Sequence, residues 1–190
     1  MFEPAIDHIF VFYAEWQPDY VKWRQHVRVP IEFIEGLPTE DYYASLDTTA
    51  RKLLIVDDQM QKAAVDETIR KLFTSGSHHR NLSIILLVQN MFEKGLRTVS
   101  LNCNYMVLFK SPRDTSQVAT LARQLFPHKP RILQVAFSEA TKEPYQYLMV
   151  DLKQATPNWA RLKVDIFPGE VLGVYIPDEL VSQAPVYKLF

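Results

Sequence analysis

The stretch Lys52-Leu-Leu-Ile-Val-Asp57-Asp58-Gln59 places four apolar residues directly before two adjacent carboxylates. A continuous apolar run of this kind is typical of a strand that is buried on both faces of a parallel sheet. Ligands of open α/β sheets bind just beyond the carboxyl ends of the strands, which is where Asp57 and Asp58 lie. One carboxylate can bind Mg²⁺ while the other accepts a proton from an attacking water. Acids are also favoured just before a helix, so the pair alone leaves both interpretations open.

A second apolar strand, predicted over residues 82–88, ends in the same manner with Gln89-Asn90. Because neighbouring parallel strands end at one edge of a sheet, Gln89 is expected beside the two acids. An amide in that place can orient a water next to a phosphate. Taken singly, Gln89-Asn90 is also a plain exit from a strand into a turn. Together with Asp57 and Asp58, it favours a functional site.

Composition limits the classes of function that fit the chain. Its 190 residues are 47% apolar and 23% charged, which is ordinary for one globular domain. The formal net charge is −1, so any contact with DNA must come from local patches. Cys103 is the single cysteine, which excludes an internal disulfide and predicts an intracellular location. The longest apolar stretch is too short to span a bilayer, so no membrane association is expected.

The order of predicted elements favours an α/β fold. Strands are predicted over residues 9–14, 31–36, 53–56, 82–88, 105–109, 145–150 and 162–167, with helices between many of them. One helix is predicted over residues 61–74, with Lys62 and Asp66 paired on its exposed side. A mixed basic segment after Gln17 receives no assignment. The alternation predicts a largely parallel sheet in a single domain, with a core at 8–176 and a tail at 177–190.

A basic turn, His78-His79-Arg80, comes directly before the strand predicted at 82–88. Arg80 therefore lies at the opposite end of that strand from Gln89. It cannot easily reach its own chain's acids, but it can reach a neighbouring subunit's site in a ring. A solvated basic turn is the alternative. The two histidines lack Cys or acid partners at ligand spacing, so no zinc site is expected.

These signals, in this order, resemble the FtsK/HerA branch of P-loop ATPases. The resemblance is to the poxvirus-type genome-packaging ATPases carried by viruses and by Maverick/Polinton-like mobile elements. It covers residues 8–176, and the succession of two apolar strands ending in Asp-Asp and Gln-Asn is its more specific part. The matching segments are the strand at 9–14, Ile31-Glu-Phe-Ile-Glu-Gly-Leu-Pro38, the Walker B strand ending in Asp57-Asp58, Ile-Leu-Leu-Val-Gln89-Asn90 and Lys110-Ser-Pro-Arg-Asp114.

The resemblance implies a role for each residue of the site. Asp57 would coordinate Mg²⁺, Asp58 would polarise the attacking water and Gln89 would sense the γ-phosphate. Arg80 would act as an arginine finger supplied to a neighbouring subunit. The implied cofactors are Mg²⁺ and ATP, and the implied partners are double-stranded DNA and further copies in a homo-oligomeric ring. Members of the family use ATP to move DNA.

One departure from the family is large. The phosphate-binding motif Gly-x-x-x-x-Gly-Lys-[Ser/Thr] is absent, since none of the five glycines is followed by lysine. In the family this loop, with the first core strand, precedes the strand that matches residues 9–14. We therefore expect an N-terminally truncated member that lacks the first core strand and does not hydrolyse ATP by itself. In the family that strand lies between those matching 82–88 and 105–109, so either these two strands close up directly or each keeps an unpaired edge.

Two alternatives stay open. A receiver-like phosphoacceptor domain also has a strand that ends in paired acids and a later strand closed by a lysine near a proline, here Lys110-Ser-Pro112. That class expects its paired acids near the chain start and an aspartate where Gln89-Asn90 stands. A non-catalytic remnant that still binds DNA or intact subunits is the other alternative.

Overall fold

The structure is a computed structural model that describes residues 5–76, 81–113, 115–167 and 169–176. The described chain forms two compact units, residues 5–102 and 103–176. Within the described ranges, none of the helices has both the length and the apolar character required to cross a membrane. The single-domain arrangement stays a prediction.

The first unit is built on a four-stranded parallel sheet, which confirms the predicted α/β class. The strands are β1 (His8–Tyr13), β2 (Ile31–Glu35), β3 (Lys52–Asp57) and β4 (Leu82–Leu86). Their order across the sheet is β2-β1-β3-β4, so β3 is paired on both sides. Leu54 and Val56 on β3 are fully buried. The apolar run therefore forms the internal strand that its composition predicts.

Helices cover the two faces of this sheet unequally. They are α1 (Asp19–His26), α2 (Glu40–Ser45), α3 (Met60–Val65), α4 (Glu67–Lys71) with a π-helical turn at Leu72–Gly76, and α5 (Arg97–Asn102). One face, with Phe10, Phe12, Leu54 and Val56, joins a buried cluster that also includes residues of α2, α3, α4 and α5. The opposite face carries α1, whose Tyr20 is 1% exposed. The segment after Gln17, which the sequence analysis leaves unassigned, thus contains a helix that contributes to the core.

The prediction of one continuous helix over residues 61–74 is wrong, because the structure has two helices there. The predicted helix is divided at Asp66, whose carboxylate accepts a hydrogen bond from the backbone N–H of Ile69 at 3.0 Å. An aspartate that caps a helix in this way satisfies a backbone donor and starts a new helix. The predicted pairing of Asp66 with Lys62 is accordingly replaced by a cap.

The second unit differs from the predicted parallel arrangement. Its strands β5 (Tyr105–Phe109), β6 (Tyr147–Asp151), β7 (Leu162–Val164) and β8 (Gly173–Val174) form an antiparallel sheet in chain order. The helices α6 (Ser116–Leu125) and α7 (Arg131–Ala140) precede β6, and a 3-10 turn lies at Asn158–Ala160. The prediction of a largely parallel sheet is therefore wrong for the chain after residue 104. The connections from β6 to β7 and from β7 to β8 carry no α-helical crossover, which parallel neighbours require.

Strand β4 ends the parallel sheet, and no strand in the described ranges pairs with its outer side. Ile85 on β4 is 38% exposed, and Leu87 and Val88 just after it are exposed as well. An apolar strand with an open edge is a template for pairing with another chain. This is one of the two edges at which the family resemblance expects a further strand.

A charge at Ile85 is expected to reduce self-association of the protein. Ile85→Lys places an ammonium on the open strand, which opposes edge-to-edge pairing. Light scattering of concentrated protein measures the effect. Val65→Lys is the control, because Val65 is 73% exposed on α3 and receives the same charge away from the edge. Equal scattering from wild type and Ile85→Lys would contradict pairing through β4.

Candidate functional site

The site begins where β3 ends, at Asp57 and Asp58. Asp57 is the last residue of the strand, and Asp58 has a φ of 53°, in the left-handed region. Aspartate tolerates this conformation better than most residues, because its short side chain can form local hydrogen bonds. Non-glycine residues in sparsely populated backbone regions are enriched at functional sites. The turn at Asp58 also sends the chain directly into Gln59 and helix α3.

Asp57 is held by a tyrosine from a distant part of the sequence. The Tyr20 hydroxyl donates a hydrogen bond to Asp57 Oδ2 at 2.6 Å. Burial of Tyr20, together with this bond to a carboxylate, raises the pKa of the phenol well above its ordinary value. The hydroxyl therefore stays protonated and acts as a donor, and the short distance is typical of a charge-assisted bond.

The Tyr20 ring is itself fixed by aromatic neighbours. Its centroid lies 5.1 Å from that of Phe33 on β2, 5.5 Å from Tyr13 on β1 and 5.4 Å from Trp16. Tilted and edge-to-face ring pairs of this kind add to the stability that burial provides. Tyr20 is thereby a rigid support for one oxygen of Asp57.

A cavity of about 300 Å³ lies at the same edge of the sheet. Its walls come from the segments that follow β1, β3 and β4. The strand order reverses between β1 and β3, because β1 leads to β2 on one side and β3 leads to β4 on the other. Ligands of open α/β sheets bind at this reversal point. The lining residues are Ala14, Asp58, Gln59, Met60, Gln61, Lys62 and Gln89.

Gln89 lines the cavity because the chain after β4 is held by hydrogen bonds to β3 and α3. The Leu87 N–H donates to the Val56 carbonyl at 3.0 Å, which continues the pairing with β3. The Asn90 N–H then donates to the Met60 sulfur on α3 at 3.4 Å. Further along, Gly95 packs so closely on α3 that a Cβ there would lie 2.0 Å from the Ala64 carbonyl oxygen. These contacts hold the Gln89 segment over the start of α3.

The predicted site residues are thus brought together in part. Asp58 and Gln89 line one cavity. Asp57 does not line it, because its carboxylate bonds to Tyr20 of α1, on the side of the sheet where α1 packs. Asp58 follows the strand in the left-handed conformation, and it lines the cavity instead. Arg80 lies outside the described residues.

The residues present are compatible with Mg²⁺ but do not enclose it. In the described ranges, no three His, Cys, Asp or Glu side chains come together as a metal-binding group. Mg²⁺ usually keeps several waters and takes one or two carboxylates together with substrate phosphates. Asp57 can supply one such carboxylate ligand, because the hydrogen bond from Tyr20 uses Oδ2 and Oδ1 can bind the ion or one of its waters.

Sequence reasoning missed three residues of the site. Tyr20 is the first, and its signal is the aromatic pair Tyr20 and Trp23 at helical spacing after Pro18 and Asp19. Gln59 is the second; it is 2% exposed although it is polar and follows two acids. Lys62 is the third, since its predicted place was an exposed ion pair whereas it lines the cavity.

A larger cavity of about 430 Å³ lies between α1 and the sheet. It is lined by the apolar side chains of Ile9, Trp23, Val27, Ile31 and Ile55 and by Lys22 and His26. Among the described residues no carboxylate lines this cavity, whereas Asp58 lines the smaller one.

Searches of the chain against protein-family models, curated proteins and solved structures found no match.

Removal of the Tyr20 hydroxyl is expected to destabilise the first unit. Tyr20→Phe keeps the ring contacts but leaves Asp57 without its donor, which should cost about 1–2 kcal/mol of unfolding free energy. Urea unfolding followed by circular dichroism measures the change. Tyr145→Phe serves as the control, because Tyr145 is 95% exposed. Equal effects of the two substitutions would contradict a structural role for the bond to Asp57.

Proposed function

We propose that the chain is the Walker B-containing part of a DNA-packaging-type ATPase of the FtsK/HerA branch. In this proposal Asp57 is the Mg²⁺ ligand, Asp58 polarises the attacking water and Gln89 senses the γ-phosphate. The observation that carries the proposal is the shared cavity of Asp58 and Gln89 at the reversal point of a parallel sheet.

The chemistry of the cavity suits phosphoryl transfer to water. Asp58 offers a carboxylate that can accept a proton, and Gln89 offers an amide. Lys62 adds an ammonium to the same wall, which complements phosphate charge. Bound Mg²⁺ would supply neutralisation of the charge that develops on the phosphates. Tyr20 holds Asp57 on the α1 side of the sheet through the 2.6 Å hydrogen bond, so Asp57 would contact an ion in the cavity through a water rather than directly.

Two parts of such an ATPase, the phosphate-binding loop and the first core strand, have no counterpart in this sequence. Its 190 residues include no Gly-x-x-x-x-Gly-Lys-[Ser/Thr] segment. We therefore propose that a segment encoded upstream supplies the phosphate-binding loop and the first core strand. The outer edge of β4, which no strand of the described residues pairs with, supports a strand in that place. Double-stranded DNA, a homo-oligomeric ring and the action of Arg80 on a neighbouring subunit belong to the proposal through the family resemblance.

We expect the 190-residue chain to show no ATP hydrolysis, because its sequence contains no Gly-x-x-x-x-Gly-Lys-[Ser/Thr] loop to hold the phosphates. The coding sequence just upstream is expected to contain the missing motif in frame, and the extended protein is expected to hydrolyse ATP. In that extended protein Asp58→Asn should lower kcat by about 100-fold or more through loss of a general base. A steady-state phosphate-release assay measures both proteins.

Asp66→Asn is the matched control for this experiment. It removes one carboxylate from the neighbouring helix start but leaves a residue that caps equally well. ATP hydrolysis by the 190-residue chain would contradict the expectation that this chain is inactive. An upstream sequence without the motif, or an extended protein that does not hydrolyse ATP, would overturn the ATPase proposal.

The receiver-like phosphoacceptor domain is a second candidate, and the strand order favours it. The order β2-β1-β3-β4 agrees with the first four strands of the flavodoxin-like arrangement found in receivers. The sequence analysis places the aspartate of that class at Gln89-Asn90, but by this strand order the residue at the end of the third strand is Asp57, which would accept the phosphoryl group. Strand β1, however, ends in Tyr13 followed by Ala14, where acids would be needed to hold the metal ion.

Incubation with acetyl phosphate and Mg²⁺ separates the two candidates. We expect no covalent phosphoryl group on the protein by intact mass spectrometry, because Asp57 lacks acidic partners on β1. A phosphoryl adduct that disappears in Asp57→Asn but persists in Asp66→Asn would favour the receiver and contradict the ATPase proposal.

A further inference from the structure

Gln59 has a hydrogen-bonding arrangement that the fold alone does not explain. Its side-chain Nε2 donates to the backbone carbonyl of Gly36, and the residue is 2% exposed. Its Oε1 is buried and has no hydrogen-bond partner among the residues that the structure describes. Because a carbonyl oxygen only accepts, the amide must present its N–H to Gly36, and this fixes the direction of Oε1.

A buried acceptor without a partner is costly, so the arrangement calls for a donor. Leaving such a group unpaired costs about 1–3 kcal/mol, and most buried side-chain polar atoms are paired with protein or water. Gln59 lines the cavity that it shares with Asp58 and Gln89. The cavity of about 300 Å³ is far larger than the roughly 10–15 Å³ of free space that a single water needs. Because Gln59 is a wall residue of this cavity, a water that donates to Oε1 is expected from that side.

We propose that Gln59 is a positioning residue that binds the attacking water together with Asp58. A water has two O–H bonds, and here it would donate one to Gln59 Oε1 and the other to the Asp58 carboxylate. Both of its hydrogens are then engaged, so a lone pair on its oxygen points away from the two acceptors and into the cavity. This inference rests on the proposed ATPase function and deepens it by naming a second group that orients the nucleophile.

The chemical step balances without a further reagent. The water oxygen forms a bond to the terminal phosphorus of ATP, and the bond from that phosphorus to the bridging oxygen breaks, with its electron pair leaving on ADP. The water proton that faces Asp58 passes to that carboxylate. Gln59 stays neutral throughout and supplies orientation only.

The amide is suited to this role because its two ends differ. A donor end is needed for the Gly36 carbonyl and an acceptor end for the water. An ionised glutamate in this place would turn an anion toward the Gly36 carbonyl and stand beside Asp58. A protonated glutamic acid, in contrast, has one donor and one acceptor oxygen and can replace the amide in both bonds.

Crystal structures of the full 190-residue chain test the water directly. In the wild type we expect an ordered water within hydrogen-bonding distance of Gln59 Oε1 and of the Asp58 carboxylate. Gln59→Met keeps the length of the side chain but removes the acceptor, so this water should be lost. Gln61→Met is the matched control, since Gln61 is an exposed residue of the same wall and its substitution should leave the water in place.

Kinetics of the extended protein separate positioning from packing. Gln59→Met should lower kcat there while the KM for ATP stays close to that of the wild type, because only the water loses a contact. A role in packing alone would lower the unfolding free energy without this selective loss of kcat. A wild-type map without this water, or a water that persists in Gln59→Met, would overturn the inference.

Failure of this inference is distinguishable from failure of the proposed function. The water is observed in the chain alone, whereas the ATPase proposal is decided by turnover of the extended protein. Turnover without the bound water would overturn the role of Gln59 and leave the ATPase proposal standing. A bound water in a protein whose extended form does not hydrolyse ATP would overturn the nucleophile assignment together with the ATPase proposal.

Discussion

Strand β3 is paired on both sides, to β1 and to β4, and its middle residues Leu54 and Val56 are fully buried. A strand enclosed in this way cannot shift by one residue, because its side chains would exchange faces and leave the core. The residues after β3 therefore emerge at a fixed point of the sheet edge. Asp57, Asp58 and Gln59 owe their positions to this constraint.

The two acids beyond β3 have different surroundings because they leave the strand on different sides. Asp57 bonds to Tyr20 of α1 within a cluster of aromatic rings. Asp58, turned by its positive φ, lines the cavity with Gln89. Adjacent carboxylates in different environments can take different roles, one oriented by a hydrogen bond and the other open to small molecules.

Much of the first unit is predictable from sequence, and the exceptions have identifiable causes. The four strands of this sheet differ from expectation by one or two residues at some of their ends. Helix α1 was not predicted, because its sequence is mostly polar and Tyr20 is its buried residue. The long helix predicted over 61–74 was divided because Asp66 caps a new start, a choice that depends on side-chain geometry.

The direction of the strands in the second unit could not be predicted from the sequence. Alternating strands and helices favoured a parallel sheet throughout, yet β6, β7 and β8 follow one another with only short connections and pair antiparallel. Strand direction depends on which edges meet, and local propensity carries little information about that.

The run from Lys52 to Gln59 by itself determined a buried strand that ends in acids, because continuous apolar residues must leave water and adjacent carboxylates cannot follow them into a core. Only the tertiary structure decided which partner each polar group receives. Tyr20 reaches Asp57 across 37 residues, and Gly36 reaches Gln59 across 23. Contacts between residues so far apart in the chain arise from the packing of α1 and β2 against β3, for which no local sequence pattern is specific.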